Sequence, residues 1–311
     1  KSKETPHVNS QHSEYYEGTI NPLKQRILRQ NINIDTRFRE NYYSTNASNF
    51  HVNLPLKMNE VVSMQLSALE LSNTFYAISQ VFGNNFFTLE IPGKDSLMIT
   101  IPDGNYDPAS LQDYINSVLK DIEDYNQIQF TSDINPSTLL SPLFGSGKMT
   151  VGLINGATIS KFALNFLTDR LGNKDTQTPL PLKFGWLIGF RDGYYENNTN
   201  YVSEGFINLT GPKYIYLVVD DYNNNVLDGF YGAFTSSVLN KNIIARISLN
   251  GGVFNKTSND NISLITNPRQ YFGPVDIQKL QIQLLDEYGR ILSLNNMDYS
   301  FCLTFQTIYN L

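Results

Sequence analysis

The sequence predicts an all-β protein: an antiparallel β-sandwich of the jelly-roll type with one well-defined amphipathic helix. Three observations lead there. Segment after segment alternates apolar and polar residues, the two-residue period of a strand with one face buried. The segments follow closely on one another and are punctuated by Gly, Pro, Asn and Asp rather than by crossover helices, which argues against a βαβ arrangement. One stretch alone has a clear helical period. The chain has 311 residues, enough for one large sandwich or two average domains, and a core of that size needs no disulfide or metal staple.

Residues 1–30 are polar and lack sustained periodicity. They are expected to form an extended arm, with Tyr15, Tyr16, Ile27 and Leu28 as its docking side chains. A single jelly-roll-like domain is expected over residues 31–311. In "SNFHVNLP" the residues Phe50, Val52 and Leu54 alternate, and the strand is expected to stop at Pro55. "VVSMQLSALELSNTFYAIS" alternates through Val62, Met64, Leu66 and Ala68, then changes phase to Leu69 and Leu71. One extra residue swaps the faces of a strand, so a bulge or bend is expected there. "NNFFTLEIPG" and "DSLMITIPDG" read as two short strands.

In "DPASLQDYINSVLKDIED" the side chains Leu111, Tyr114, Ile115, Val118, Leu119 and Ile122 fall on one helix face. Asp107 suits the N-cap, and Pro108 suits the first helical position because its missing N–H has no partner there. The polar face is not basic, so the helix is expected to lie across the domain and cover one edge or end of a sheet, and not a membrane. Beyond it lie "QIQFTSD", then "KMTVGLINGATISKFALNF", expected as a hairpin turning at Asn155-Gly156. The apolar run "FGWLIGF" holds the one tryptophan, Trp186. "KYIYLVVDD", "NIIARISLNGG", "VDIQKLQIQLLD", "ILSL" and "YSFCLTFQTIY" complete the strand series. The last is expected to pair with its predecessor and with a distant early strand, closing the sheet.

Composition narrows function. Charged residues make up 17%, the formal net charge is −6, and there are 19 Tyr and 19 Phe. No Lys/Arg cluster exists to bind phosphates, so no nucleic-acid partner is expected. No apolar run reaches the ~20 residues that cross a bilayer. The single cysteine, Cys302, excludes a disulfide within the chain and reads as a small buried hydrophobe. Sequons at Asn46, Asn197, Asn208, Asn255 and Asn261 carry little weight in so Asn-rich a chain.

Chemistry-bearing motifs fail on inspection. The histidines are His7, His12 and His51, too dispersed for a triad or a metal site. "FGSGKMT" lacks the first phosphate-loop glycine, where Pro142 stands, and has Met149 in place of Ser or Thr. "DDYNNNVLDG" begins like a calcium loop at Asp221, Asn223 and Asn225, but Val226 and Gly232 occupy the glycine and glutamate positions. Adjacent acids, Asp220-Asp221 and Asp286-Glu287, point to opposite faces of a strand. No catalytic residue, cofactor, metal or small-molecule substrate is therefore expected.

Several blocks together resemble a family of virion structural proteins of nucleocytoplasmic large DNA viruses. They are "NINIDTRFRENYYSTNASNFHVNLPLKMNEVVSMQLSALELSNTFYAIS", "IPDGNYDPASLQDYIN", "FGWLIGFR" and "YFGPVDIQKLQIQLLDEYGRILSLNNMDYSFCLTF". The resemblance spans about residues 31–309. It implies a jelly-roll minor capsid or penton-type protein, not the longer major capsid protein. Its partners would be the major capsid protein, neighbouring minor capsid proteins and further copies of itself. Assembly would take place in the host cytoplasm and the protein would reside in the virion. Expected contact residues are Tyr15, Tyr16, Ile27 and Leu28 of the arm, with Tyr194, Tyr195 and Tyr222 at loop tips. Two other readings of the same surface are a glycan-binding sandwich for host attachment and a sandwich hydrolase with two carboxylates meeting across a cleft.

Overall fold

A computed structural model of the chain describes residues 26–134, 145–227, 229–234, 237–239, 242–249 and 255–309. The strands are β1 (Arg26–Asp35), β2 (Asn49–Ser72), β3 (Phe86–Glu90), β4 (Leu97–Thr100), β5 (Ile128–Ser132), β6 (Met149–Leu153), β7 (Phe162–Asn165) and β8 (Tyr194–Asn198). They continue with β9 (Asn200–Val202), β10 (Tyr214–Asp220), β11 (Gly232–Ala233), β12 (Val238–Leu239), β13 (Ile243–Ser248), β14 (Lys256–Asn259), β15 (Arg269–Leu285) and β16 (Ser300–Tyr309). The helices are α1 (Pro108–Lys120) and the single turn α2 (Phe184–Leu187). Every strand pairing is antiparallel. The all-β antiparallel class read from the sequence is the observed one.

The largest sheet has seven strands, in the order β1-β16-β2-β15-β10-β13, with β14 also on β2. Its axis is β2, which runs through Pro55 and does not stop there. The ladder skips from Asn53–Lys279 to Met58–Ile277, so Pro55 sits where no partner awaits an N–H. Glu60 takes a left-handed φ of 55°; beyond it β16 joins the other side of β2, while β15 continues as far as Met64 and β14 takes over from Leu69. Side chains from both halves of β2, Phe50 and Met58 as well as Leu66 and Leu71, bury in one cluster with β10, β15 and β16. The phase change at Ala68–Leu69 coincides with a register shift against Cys302–Leu303, the expected bulge.

The C-terminal strand pairs with distant early strands, as expected, but not with its predecessor. β16 lies between β1 and β2 and does not pair with β15. Its buried Phe301, Leu303 and Phe305 match the buried face of β2, whereas residues 291–294 leave the ladder to insert Leu292 and Leu294 into the core. The strand that forms the sheet edge is β1, and it starts at Arg26. Residues 26–30, expected in the arm, are therefore strand.

Between β2 and β10 the chain builds a second apolar cluster, so residues 31–311, expected as one domain, hold two large cores. A four-stranded sheet (β4-β3-β7-β8) and a three-stranded sheet (β5-β6-β9) share the second core. Phe87 of β3 stacks on Phe184 at 5.1 Å and meets Phe130 of β5 at 5.5 Å. The expected hairpin across Asn155-Gly156 is not formed. The turn exists, with Gly156 at φ 84°, but β6 pairs with β5 and β9 while β7 pairs with β3 and β8. The reason is burial: Met149 and Val151, like Phe162 and Leu164, are each needed on an inner face.

Helix α1 closes this second unit as the sequence implies. Asp107 has extended backbone and accepts the Ser110 N–H, Pro108 follows, and Leu111, Ile115 and Leu119 are buried. On its flank Asn116 bonds both the N–H and the carbonyl of Phe130 at 2.8 Å. The helix thereby occupies backbone groups on the open side of β5.

Candidate functional site

The block "DTRFRENYY" forms a tight corner between β1 and β2. Asp35 ends β1 in extended conformation and caps a 3-10 turn, Thr36–Phe38, by accepting the Arg37 N–H at 3.0 Å. The Arg37 guanidinium then folds back onto the same carboxylate, at 2.5 Å, and this pairing holds the Asp35 carboxyl below the usual carboxylate range. Thr36 is fully buried. It ties the corner to the segment entering β16 by donating to Asp298 at 2.8 Å, accepting the Tyr299 N–H, and giving its own N–H to the Tyr299 carbonyl.

Arg39 is the centre of the corner. Nη1 donates to Asp298 at 2.6 Å and to the Thr36 carbonyl at 2.8 Å. Nη2 donates to the carbonyls of Tyr42 and Thr45, and Nε to Thr45 Oγ1. All five N–H donors of a guanidinium are thus engaged. Its plane lies 3.9 Å from the Tyr42 ring, and the Tyr42 hydroxyl donates to the second oxygen of Asp298. The Arg39 side chain is 7% exposed and that of Asp298 17%.

This polar scaffold holds two aromatic side chains away from the protein. Phe38 is 82% exposed, and Tyr43, packed only edge-on against Tyr42 at 5.4 Å, is fully exposed. Leaving such surface in water is unfavourable by about 25 cal/mol per Å² of apolar area. The corner held by Arg39 and Asp298 keeps that surface in water.

The chain matches no protein-family model and no curated protein. Among solved structures it is similar to that of the mavirus penton protein, with a TM-score of 0.45 and 10% identity. That alignment covers 91% of this chain and 100% of the penton chain.

The residues singled out from sequence fall in separate places. Tyr15 and Tyr16 lie outside the described residues. Ile27 and Leu28 stand on edge strand β1, 52% and 45% exposed. Tyr194 and Tyr195 belong to strand β8, not to a loop tip, and alternate outward and inward. The Tyr194 hydroxyl donates to Glu90, and burial and that carboxylate push its pKa up to about 12. The Tyr195 ring packs on Phe190 at 5.0 Å, and its hydroxyl accepts two backbone N–H bonds while donating to Glu204. Desolvation is the main reason its pKa also rises to about 12. Tyr222 is at a turn with φ 61°, half exposed, its hydroxyl 3.1 Å from His51 Nδ1.

The adjacent acids are structural. Asp221 is buried against Arg269 at 3.5 Å and accepts the Tyr271 hydroxyl, while Arg269 also serves the carbonyls of Val219 and Asn242. Asp286 accepts the N–H groups of Tyr288 and Arg290 and pairs with the Arg290 guanidinium at 2.7 Å. Glu287 accepts the Lys213 N–H. Asp286 and Glu287 line a cavity of about 220 Å³ together with Trp186, Arg191 and Lys213, but both are engaged in shaping turns.

Sequence reading missed the corner as a display site. Its signal was present in the run Asp35-Thr36-Arg37-Phe38-Arg39, where an aromatic stands between charged residues at the end of a strand. The partner that fixes it, Asp298, is 259 positions from Arg39 and leaves no local trace.

Proposed function

We propose that this chain is a structural component of a large DNA virus particle, a minor capsid or penton-type protein acting through contacts between subunits. One observation carries the reading: the Arg39–Asp298 corner holds Phe38 and Tyr43 outward in a fixed geometry. Rigid aromatic side chains suit the centre of a protein interface, since they bring large area at little entropy cost. The low charge of the chain supports the same reading, because Lys and Glu are costly to desolvate between packed subunits. So does the resemblance of the corner block itself to virion proteins. The partners in this reading are the major capsid protein and neighbouring minor capsid proteins, and the protein resides in the virion after assembly in the host cytoplasm.

The test is the double variant Phe38→Ala/Tyr43→Ala. Both side chains are exposed, so the purified variant is expected to unfold at the same denaturant concentration as the parent. Its incorporation into particles is expected to fall at least about tenfold, the equivalent of 1.4 kcal/mol of lost contact.

A further inference from the structure

We infer that β1 is the surface through which two copies of this chain join, edge to edge and antiparallel, about a two-fold axis at Gln30. This deepens the assembly reading by naming one of the partners. β1 pairs with β16 over ten residues without a single register shift, and among the described residues no strand lies along its other side. An open edge presents a row of N–H and C=O groups, and natural sheets blunt such edges with proline, lysine, bulges or short strands. The opposite edge, β13, is six residues long and breaks register against β10. β1, "RILRQNINID", has no proline, glycine or bulge; its charges are confined to Arg26 and Arg29 in its first half and Asp35 at its end, and it leaves Ile27 and Leu28 about half exposed.

The occupant follows from the strand's own side chains. Two antiparallel strands related by a two-fold axis place opposite residues on the same face, so only every second register is available. Centring on Gln30 sets Leu28 opposite Ile32 of the second copy, on the face that carries buried Ile34; these two Leu–Ile pairs flank a central Gln30–Gln30 pair, with Arg26 opposite Ile34 at each end. On the other face Arg29 meets Asn31 of the second copy and Ile27 meets its Asn33. The neighbouring register toward the N-terminus would set Arg29 against Arg29, a like-charge pair directly opposite. The register at Gln30 avoids that repulsion.

The experiment uses the isolated full chain, so it can fail while particle incorporation stands, and the reverse. Light scattering after size exclusion, over a dilution series, is expected to give twice the 35.3 kDa chain mass at the concentrated end. Leu28→Lys is expected to return the mass to that of one chain without moving the thermal midpoint measured at the dilute end of the series, where the parent is also a single chain. In a Cys302→Ala background, Gln30→Cys is expected to form a disulfide-linked dimer under mild oxidation, with Arg29→Cys and Asn31→Cys linking poorly. A single-chain mass at every concentration overturns the inference. So does a dimer that survives Leu28→Lys, or one that Gln30→Cys does not trap.

Discussion

At the residue scale, Arg39 shows why one side chain type can be irreplaceable. Its five N–H groups meet two side chains and three backbone carbonyls, a fork that lysine cannot reproduce with one ammonium. Arg39→Lys keeps the charge beside Asp298 and strands several acceptors. It is expected to destabilise the protein by about 2–3 kcal/mol, read as a lower urea midpoint; an unchanged midpoint would mean that the corner is held otherwise. Gly189, in "FGWLIGF", makes a second residue-level case. It sits at φ 97°, and a Cβ there would meet the Gly205 carbonyl oxygen at 2.4 Å and Ser203 Oγ at 2.8 Å. Since Gly205 also donates its N–H to the Gly189 carbonyl at 2.8 Å, the two backbones cannot part without losing that bond. Gly189→Ala is expected to cost about 3 kcal/mol by the same measurement. Neither requirement is visible in sequence: an arginine and a glycine announce nothing about which distant backbone they approach.

At the scale of elements, α1 was legible because its determinants are local. Asp107, Pro108 and the spacing of Leu111, Ile115 and Leu119 specify start and buried face within thirteen residues of chain. Asp107→Ala is expected to cost about 1 kcal/mol. The Ser110 N–H holds the Asp107 carboxyl below its ordinary range, as Arg37 does for Asp35. The folded state thus binds these protons less readily than the unfolded chain. Their stabilisation is fully present above about pH 4 and is lost as pH falls through the lower folded values. The acid limb of a stability–pH curve is therefore expected to be shallower in Asp107→Ala than in the parent; parallel limbs would contradict the capping role. The bulge in β2 was legible for a similar reason, since a change of apolar phase from Leu66 to Leu69 has no other economical cause in a strand. The partners of β16, and the parting of β6 from β7, were not. Two-residue alternation says that a face is buried and is silent about which neighbour buries it.

At the scale of the whole molecule, sequence showed the class but neither the continuity of the axis strand through Pro55 nor the two cores. Both are built from the same alternating apolar residues, and only the pairing of β14, β15 and β16 with β2 separates the first from the strands folded between Ser72 and Tyr214. Of the adjacent acids, Asp221 meets Arg269 only when distant chain segments come together, whereas Asp286 pairs with Arg290 four residues on, within its own turn. What the folded molecule leaves outward is a set of aromatic and aliphatic side chains, Phe38 and Tyr43 among them, beside the long, regular edge of β1.

The most direct measurement is the copy number of this chain in purified particles when Phe38→Ala/Tyr43→Ala replaces the parent, alongside the denaturant midpoint of the same variant in isolation. An assembly protein that docks through the Arg39–Asp298 corner predicts an unchanged midpoint and at least a roughly tenfold fall in copy number. A parental copy number with the midpoint unchanged would contradict it.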